Sequence, residues 1–401
     1  MRIARINHLF MMLKSALLII ALLLCGACAS GGRLDLYDTV ITRETGVGQF
    51  RWSPDSRRIV FTYRTGRDSQ LVYLADSSGK ELSLLSARPG VYFDPCFSSD
   101  GSRVFFVEDL GRKKTRIVTK RLDDPSVPEF FLTQGDSFDL APNASSQTDE
   151  IVFASSTNGR NANVYVINSD GTELRRITEG RNHDTNPLFV PNADTILFRR
   201  AHWFGHYSPI AARQWHHWTV MRIDSDGSNL VEIAGDTSKN YRLDTLSVSS
   251  DGTRIAFNIE GYYEENVYVA QNEPNAEAVP LHPQGEPYMV RDEDGSFISA
   301  RHSSEFVPGT NELAFLMADP PQKWDFVNPI EIHLVNLSTR VARAITRNSS
   351  QHREGLQVSP DGARILYRVD TRPSRSDSFR ELWVVDIDGT GDATILDKNS
   401  L

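Results

Sequence analysis

Beyond residue 39 apolar and polar positions alternate in short runs, and the runs recur with the same punctuation. Seven of them read Arg58-Ile-Val-Phe61, Arg103-Val-Phe-Phe106, Glu150-Ile-Val-Phe153, Thr195-Ile-Leu-Phe198, Arg254-Ile-Ala-Phe257, Glu312-Leu-Ala-Phe315 and Arg364-Ile-Leu-Tyr367. A period of two with β-branched and aromatic residues predicts strands. Each run follows a Ser-Pro-Asp-Gly turn or a worn copy of one, clearest at Ser53-Pro-Asp55 and Ser359-Pro-Asp-Gly362. There Pro presets its own backbone angle and Gly accepts a left-handed one. Counted from the short strand ahead of each turn, the copies begin near Gln49, Asp94, Asp139, Asn186, Asp244, Ser304 and Gly355, at steps of 45 to 60 residues.

That step holds four strands, the content of one propeller blade. A third strand follows each copy (Leu71-Val-Tyr-Leu74, Asn163-Val-Tyr-Val166, Leu382-Trp-Val-Val385). An Asp-Gly hairpin comes next, then an outer strand ending in Leu-Thr or Ile-Thr (Leu132-Thr133, Ile177-Thr178, Ile345-Thr346). No segment past the first 27 residues carries a helical period. The expected fold is all-β: a seven-bladed β-propeller of four-stranded antiparallel blades, with six or eight blades as the alternatives. Residues 1–27 read as a signal peptide, 28–38 as a tether and 39–401 as one propeller domain. Two segments, Thr39-Val-Ile-Thr42 and Ala393-Thr-Ile-Leu396, compete for the outer strand of the last blade; using both chain ends there would remove an exposed sheet edge.

The N-terminus has the secretory pattern. Arg2, Arg5 and Lys14 precede an apolar run, Ser15 to Leu24, that is too short to span a bilayer. Gly26-Ala27-Cys28 resembles the bacterial lipobox, with Cys25 standing where Leu is usual. The resemblance implies lipidation of Cys28 and, since Ala29 is not Asp, a lipid-anchored place on the periplasmic side of the outer membrane; simple secretion to the periplasm is the alternative. Beyond Cys28 only Cys96 remains, so no disulfide framework is expected, and Cys96 reads as a small buried hydrophobe. The chain has a net charge of −9, and the leader holds three basic residues and no acids, so the remainder is more acidic still. This excludes a nucleic-acid partner and electrostatic adhesion to anionic lipid; membrane attachment would run through the lipid alone.

The repeated Ser-Pro-Asp-Gly strands resemble the TolB-like β-propeller repeat family over Val40 to about Leu396. The family's namesake carries an α/β domain ahead of its propeller. Here roughly twenty residues separate Cys28 from the first motif copy, so a different member is expected. Prolyl-oligopeptidase relatives join a similar propeller to a hydrolase domain, and no Gly-x-Ser-x-Gly elbow is present.

The repeat also sorts residues by face. The Ser-Pro-Asp-Gly turns fall on one face of a propeller. The loops between second and third strands, and between blades, fall on the other, where function is expected. The largest insertion there is 201–218, with four of the ten His and three of the six Trp. Its His202, Trp203, His206, Tyr207, Trp215, His216 and His217, together with Tyr262, Tyr263, Trp324 and Phe326 from the fifth and sixth copies, are the candidate binding residues. Such aromatics serve as contact anchors for a protein or stack on the rings of a glycan; alternatively the Trp cluster only holds the insertion down, with Trp218 as packing. A second long insertion, Pro283 to Ile298, joins copies five and six.

His183, His302 and His352 each precede an inner strand and would rim the channel as metal ligands. Seven-bladed oligogalacturonate lyases resemble this layout, although their His and Gln spacing is not reproduced around Gln351-His352. The expected function is a non-enzymatic cell-envelope lipoprotein that binds an envelope protein or glycan through its irregular face, without a cofactor. The alternative is a metal-dependent lyase or hydrolase with a His-lined channel mouth. Asp94, Asp139, Asp184 and Asp244, at blade junctions, read as caps on backbone donors of neighbouring strand ends.

Overall fold

The computed structural model describes residues 45–400 apart from 67, 125, 158–159, 207–212, 237–241, 261–264, 282–299, 319–329, 348–350, 372–378 and 398. The alternating runs form strands, and every described element is β. The first blade is β1 (Thr45–Trp52), β2 (Arg58–Gly66), β3 (Ser69–Asp76) and β4 (Leu82–Leu84). The second is β5 (Tyr92–Phe97), β6 (Arg103–Gly111), β7 (Lys114–Arg121) and β8 (Phe130–Phe131). The third is β9 (Phe138–Ala144), β10 (Glu150–Ser156), β11 (Asn163–Asn168) and β12 (Arg175–Arg176). The fourth is β13 (His183–Phe189), β14 (Thr195–Gly205), β15 (Gln214–Asp224) and β16 (Val231–Gly235). The fifth is β17 (Arg242–Val248), β18 (Arg254–Glu260), β19 (Glu265–Gln271) and β20 (Val279–Pro280). The sixth is β21 (Ala300–Phe306), β22 (Glu312–Ala318), β23 (Ile330–Asn336) and β24 (Ala342–Ala344). The seventh is β25 (His352–Val358), β26 (Arg364–Asp370), β27 (Phe379–Asp386) and β28 (Ala393–Leu396). Within each blade the strands pair antiparallel in chain order, giving the seven four-stranded blades expected.

The inner strand of every blade carries a β-bulge, where its register against the second strand shifts. Asp94, Ala141 and Asn186, each followed by Pro, sit at such bulges with positive φ, as do Ser303 and Gly355. The recurrent residue ahead of Pro is thus where the strand bends, and at Asp94 the bend turns the side chain toward the next blade. The Asp94 carboxylate accepts from the Ala141 N–H at 2.7 Å, Gln49 Oε1 from the Asp94 N–H at 2.8 Å, and Asn143 Oδ1 from the Phe189 N–H at 2.9 Å. Glu305 accepts from the Val358 N–H at 2.9 Å, and Gln357 from the Trp52 N–H at 2.8 Å. These contacts make an incomplete polar ring: they tie the inner strands of the first four blades and those of the sixth, seventh and first, the last crossing from the seventh blade to the first.

Hydrophobic clusters fill the space between neighbouring blades. One joins Phe93, Phe105 and Ile117 to Leu140, Ile151 and Phe153; another joins Val47, Phe50 and Phe61 to Leu366, Leu382 and Leu396. The seventh blade takes all four described strands from the C-terminal run, with Ala393–Leu396 outermost. Segment 39–42, its competitor, lies outside the described residues. Among the described residues the seam between the seventh and first blades is made by a two-residue parallel pairing of β1 with β27, and by Arg364 and Arg368 donating to the carbonyls of Ser56 and Gly48, both at 2.8 Å.

Candidate functional site

The described flanks of the insertion at 201–218 extend the two strands, β14 through Gly205 and β15 from Gln214. β14 and β15 stay paired from Thr195 and Asp224 out to Gly205 and Gln214, so the hairpin projects from the irregular face. Cross-strand aromatic pairs support it. The Trp203 ring lies 5.2 Å from that of His216 and 5.8 Å from that of His217, and Phe204 meets Trp215 at 5.3 Å. The Trp215 indole N–H donates to the Arg160 carbonyl at 2.8 Å, fastening the hairpin to the third blade. Trp218 is buried, as its strand position implies.

Beneath the hairpin, Asp184 and Arg200 form a buried bidentate pair at 2.7 and 2.8 Å. His183 is also buried, stacked on Trp215 at 5.1 Å and met edge-on by Trp218 at 5.7 Å. Burial, followed by the nearby Arg199 guanidinium, pushes its imidazole down to about 3, so it stays neutral. His202 lies within hydrogen-bond reach of Thr219 Oγ1 at 2.9 Å; partial burial and then the Arg200 charge hold its pKa below the ordinary value.

These elements enclose an open groove of about 560 Å³ between the third and fourth blades. It is lined by Arg160, Asn161, Arg181, His202, Trp203, Phe204, Arg213 and Trp215. All come from segments on the irregular face: the second-to-third strand connection of the third blade, the junction into the fourth, and the hairpin. Arg160 and Arg213 both approach the Phe204 ring, at 5.9 and 5.1 Å from its centroid.

Of the expected binding residues, the structure brings His202, Trp203 and Trp215 into this groove. His216 is buried, with Nε2 3.2 Å from the Gly205 carbonyl, and belongs to the hairpin's own packing. His217 takes a left-handed φ of 58° beside Trp203, and His206 is exposed beyond the paired strands. Tyr207, Tyr262, Tyr263, Trp324, Phe326 and Cys28 lie outside the described residues, as does the insertion at 283–298. Sequence reasoning missed Arg160, Asn161, Arg181, Phe204 and Arg213. For Arg160, Asn161, Phe204 and Arg213 a local signal existed, since 158–163 and 201–217 contain no acid in an otherwise acidic chain; Arg181, between Glu179 and Asp184, has none.

Of the three histidines expected at the channel mouth, the two whose side chains are described do not share one environment. His183 is enclosed by tryptophans. His352 is half-buried, with Nε2 3.7 Å from Glu354, a carboxylate also approached by Arg380 at 3.0 Å and Arg368 at 3.4 Å. His302 starts the sixth blade, and its side chain is outside the described set. Among the described residues no three metal-ligating side chains converge. On the inner strand β21, burial lifts the Glu305 carboxyl to about 7, although the residue as a whole is only partly buried. Burial likewise lifts the Cys96 thiol to about 12, so it is the inert hydrophobe expected. The junction aspartates divide. Asp94 is a cap; Asp184 is half of the buried ion pair; Asp139 accepts from the Ser137 and Ser155 hydroxyls, both at 2.6 Å; Asp244 meets Arg242 at 3.4 Å.

No protein-family profile matches the chain. Among solved structures it is similar to the β-propeller domain of the Trilobed protease from Pyrococcus furiosus, described as having an open velcro topology. Identity is 11%, with 89% of this chain and 99% of that one covered, at a TM-score of 0.58. The protein folds as a β-propeller. It is also similar to an oligogalacturonate lyase from Vibrio parahaemolyticus, at 15% identity, 88% and 93% coverage and a TM-score of 0.57. TolB from Acinetobacter baumannii overlaps at 15% identity over 72% of this propeller and 63% of that chain, at a TM-score of 0.47.

Proposed function

We propose that this propeller is a non-enzymatic docking module. Its irregular face engages a protein of the cell envelope through the groove beside the β14–β15 hairpin, with an envelope glycan as the competing ligand class. The observation that carries the reading is the groove itself. Trp and Arg, residue types that dominate binding hot spots, meet there, the tryptophans on β14 and β15 and the arginines on the connections beside the strands. The leader and the Cys28 lipobox resemblance supply the address: lipid-anchored, facing the periplasm from the outer membrane. The likeness to oligogalacturonate lyases, one of them described in complex with manganese, is the support for a lyase. It is the weaker reading, because the residues that line the groove are cations and aromatics rather than a paired acid and base.

The test replaces 203–216 with a two-residue Asn-Gly turn and compares what co-purifies from envelope extract. Loss of a partner from a propeller that still folds cooperatively is expected, with stability lowered by the loss of the Trp215 contacts. An identical partner set would overturn the reading.

A further inference from the structure

The side-chain chemistry of the groove narrows its ligand, and this step rests on the docking reading above. Among the described residues its lining offers three guanidinium groups, from Arg160, Arg181 and Arg213, and no carboxylate. Two of the three segments that build it, 158–163 and 201–217, add no acid, although the chain as a whole has a net charge of −9; the third carries Glu179 and Asp184 beside Arg181, and Asp184 is already paired with Arg200. The patch is therefore a local reversal of the molecule's charge. Arg160 and Arg213 are also gathered at one ring, that of Phe204. Each gains from the ring face, but two like charges held at one ring repel, and an anion set between them would relieve that repulsion.

Acceptors are scarce. Among the described lining residues the one side-chain oxygen is that of Asn161. A glycan presents many hydroxyl donors, each needing an acceptor when water is excluded, and the lining side chains do not supply them. Carboxylates accept only, and guanidinium groups pair with them in bidentate geometry. The remaining feature is Trp203. It packs against His216 and His217, yet 44% of its surface stays exposed. A large exposed indole next to cations suits an apolar side chain flanked by acids.

We propose that the groove receives an acidic peptide segment of a partner protein. Its carboxylates pair with Arg160, Arg181 and Arg213, and one apolar side chain lies on Trp203.

The experiment is a selection of random peptides displayed against the full mature protein, followed by titration of the enriched peptides against three variants: Arg181→Glu, Arg213→Glu and Trp203→Ala. The arginines are exposed, so their substitution leaves the fold intact, and circular dichroism checks this. The expected outcome is enrichment of Asp/Glu-rich peptides carrying an aromatic or aliphatic residue. They should bind at least about tenfold more weakly to each variant and progressively more weakly as salt is raised. Neutral or basic consensus peptides, acidic peptides that bind the variants equally, or no arginine-dependent peptide at all would each overturn the proposal. So would an oligogalacturonate hexamer that binds at the groove where the peptides do not. If removing the hairpin strips a partner while the arginine substitutions leave it bound, docking stands and the acidic ligand falls.

Discussion

At the residue scale the Ser-Pro-Asp-Gly turns are the most regular chemistry in the chain, and their work is structural. In the turn after β17, Ser249 Oγ donates to Asp251 at 2.5 Å. The same hydroxyl accepts from the Arg254 N–H at 3.0 Å, and Asp251 accepts from the Thr253 N–H at 3.0 Å. Ser98, Asp100, Ser102 and Arg103 repeat the arrangement. The Ser249 hydroxyl, then the Thr253 N–H and hydroxyl, pull the Asp251 carboxyl down to about 2; Ser98 and Ser102 do the same for Asp100. A carboxylate that is harder to protonate in the folded state stabilises it above its ordinary pKa of about 4, and the benefit is lost as pH falls through the folded value. Both groups are exposed, which limits the effect of each to about 0.5–1 kcal/mol. Asp251→Asn should therefore lower unfolding stability by about that amount at pH 7. The difference from the native protein should close between about pH 4 and pH 2. Denaturant titrations at pH 7, 4 and 2 check it; a gap that persists at pH 2 would contradict it.

At the scale of the element, what the sequence reveals depends on whether a role is local. Turn and strand are readable because Pro, Asp and Gly recur at fixed offsets, and one repeat corroborates the next. The bulge is only half readable. Asp94 ahead of Pro95 reads as a cap from its place at a blade junction, but the donor it caps, the Ala141 N–H at the bulge of the neighbouring blade, is not named by its own repeat. The 201–218 hairpin reads as a loop because His, Trp and Gly break the apolar alternation, while pairing through Gly205 and Gln214 continues regardless. The groove's arginines are invisible as a set because they come from three separate stretches. Gly205 shows how tightly the hairpin is shaped. A Cβ at this position would collide with the Trp203 ring, the end of a movable side chain rather than backbone. Gly205→Ala should thus displace Trp203 with little loss of stability, under about 1 kcal/mol. The expected readout is a shift in tryptophan emission with unfolding nearly unchanged; an unaltered emission spectrum would show that the ring is not seated on Gly205.

For the whole molecule the question is what keeps a ring closed when no described strand is exchanged across the seam. The polar ring of inner strands and the shared hydrophobic cluster both cross from the seventh blade to the first, but the strand pairing there is confined to Thr45 with Phe379 and Gly46 with Arg380. Gly46 has a φ of +97°, and a Cβ there would meet the Arg380 carbonyl and amide. Gly46→Ala imposes two costs, backbone strain and a clash with backbone that has no flexible end to yield. Gly111, at the end of β6, separates them: its φ is +75°, and no atom lies within 4 Å of the added Cβ. Gly111→Ala should cost only the conformational term, about 1 kcal/mol. Gly46→Ala should cost more, about 2–4 kcal/mol, and should loosen the first and seventh blades before the rest. Hydrogen exchange resolves this directly. Amides of β1 and β27 should lose protection in Gly46→Ala while those of β10 and β14 keep theirs. Equal losses for the two glycine variants, or uniform loss around the ring, would mean that the parallel pairing is incidental and that the side-chain contacts alone hold the seam.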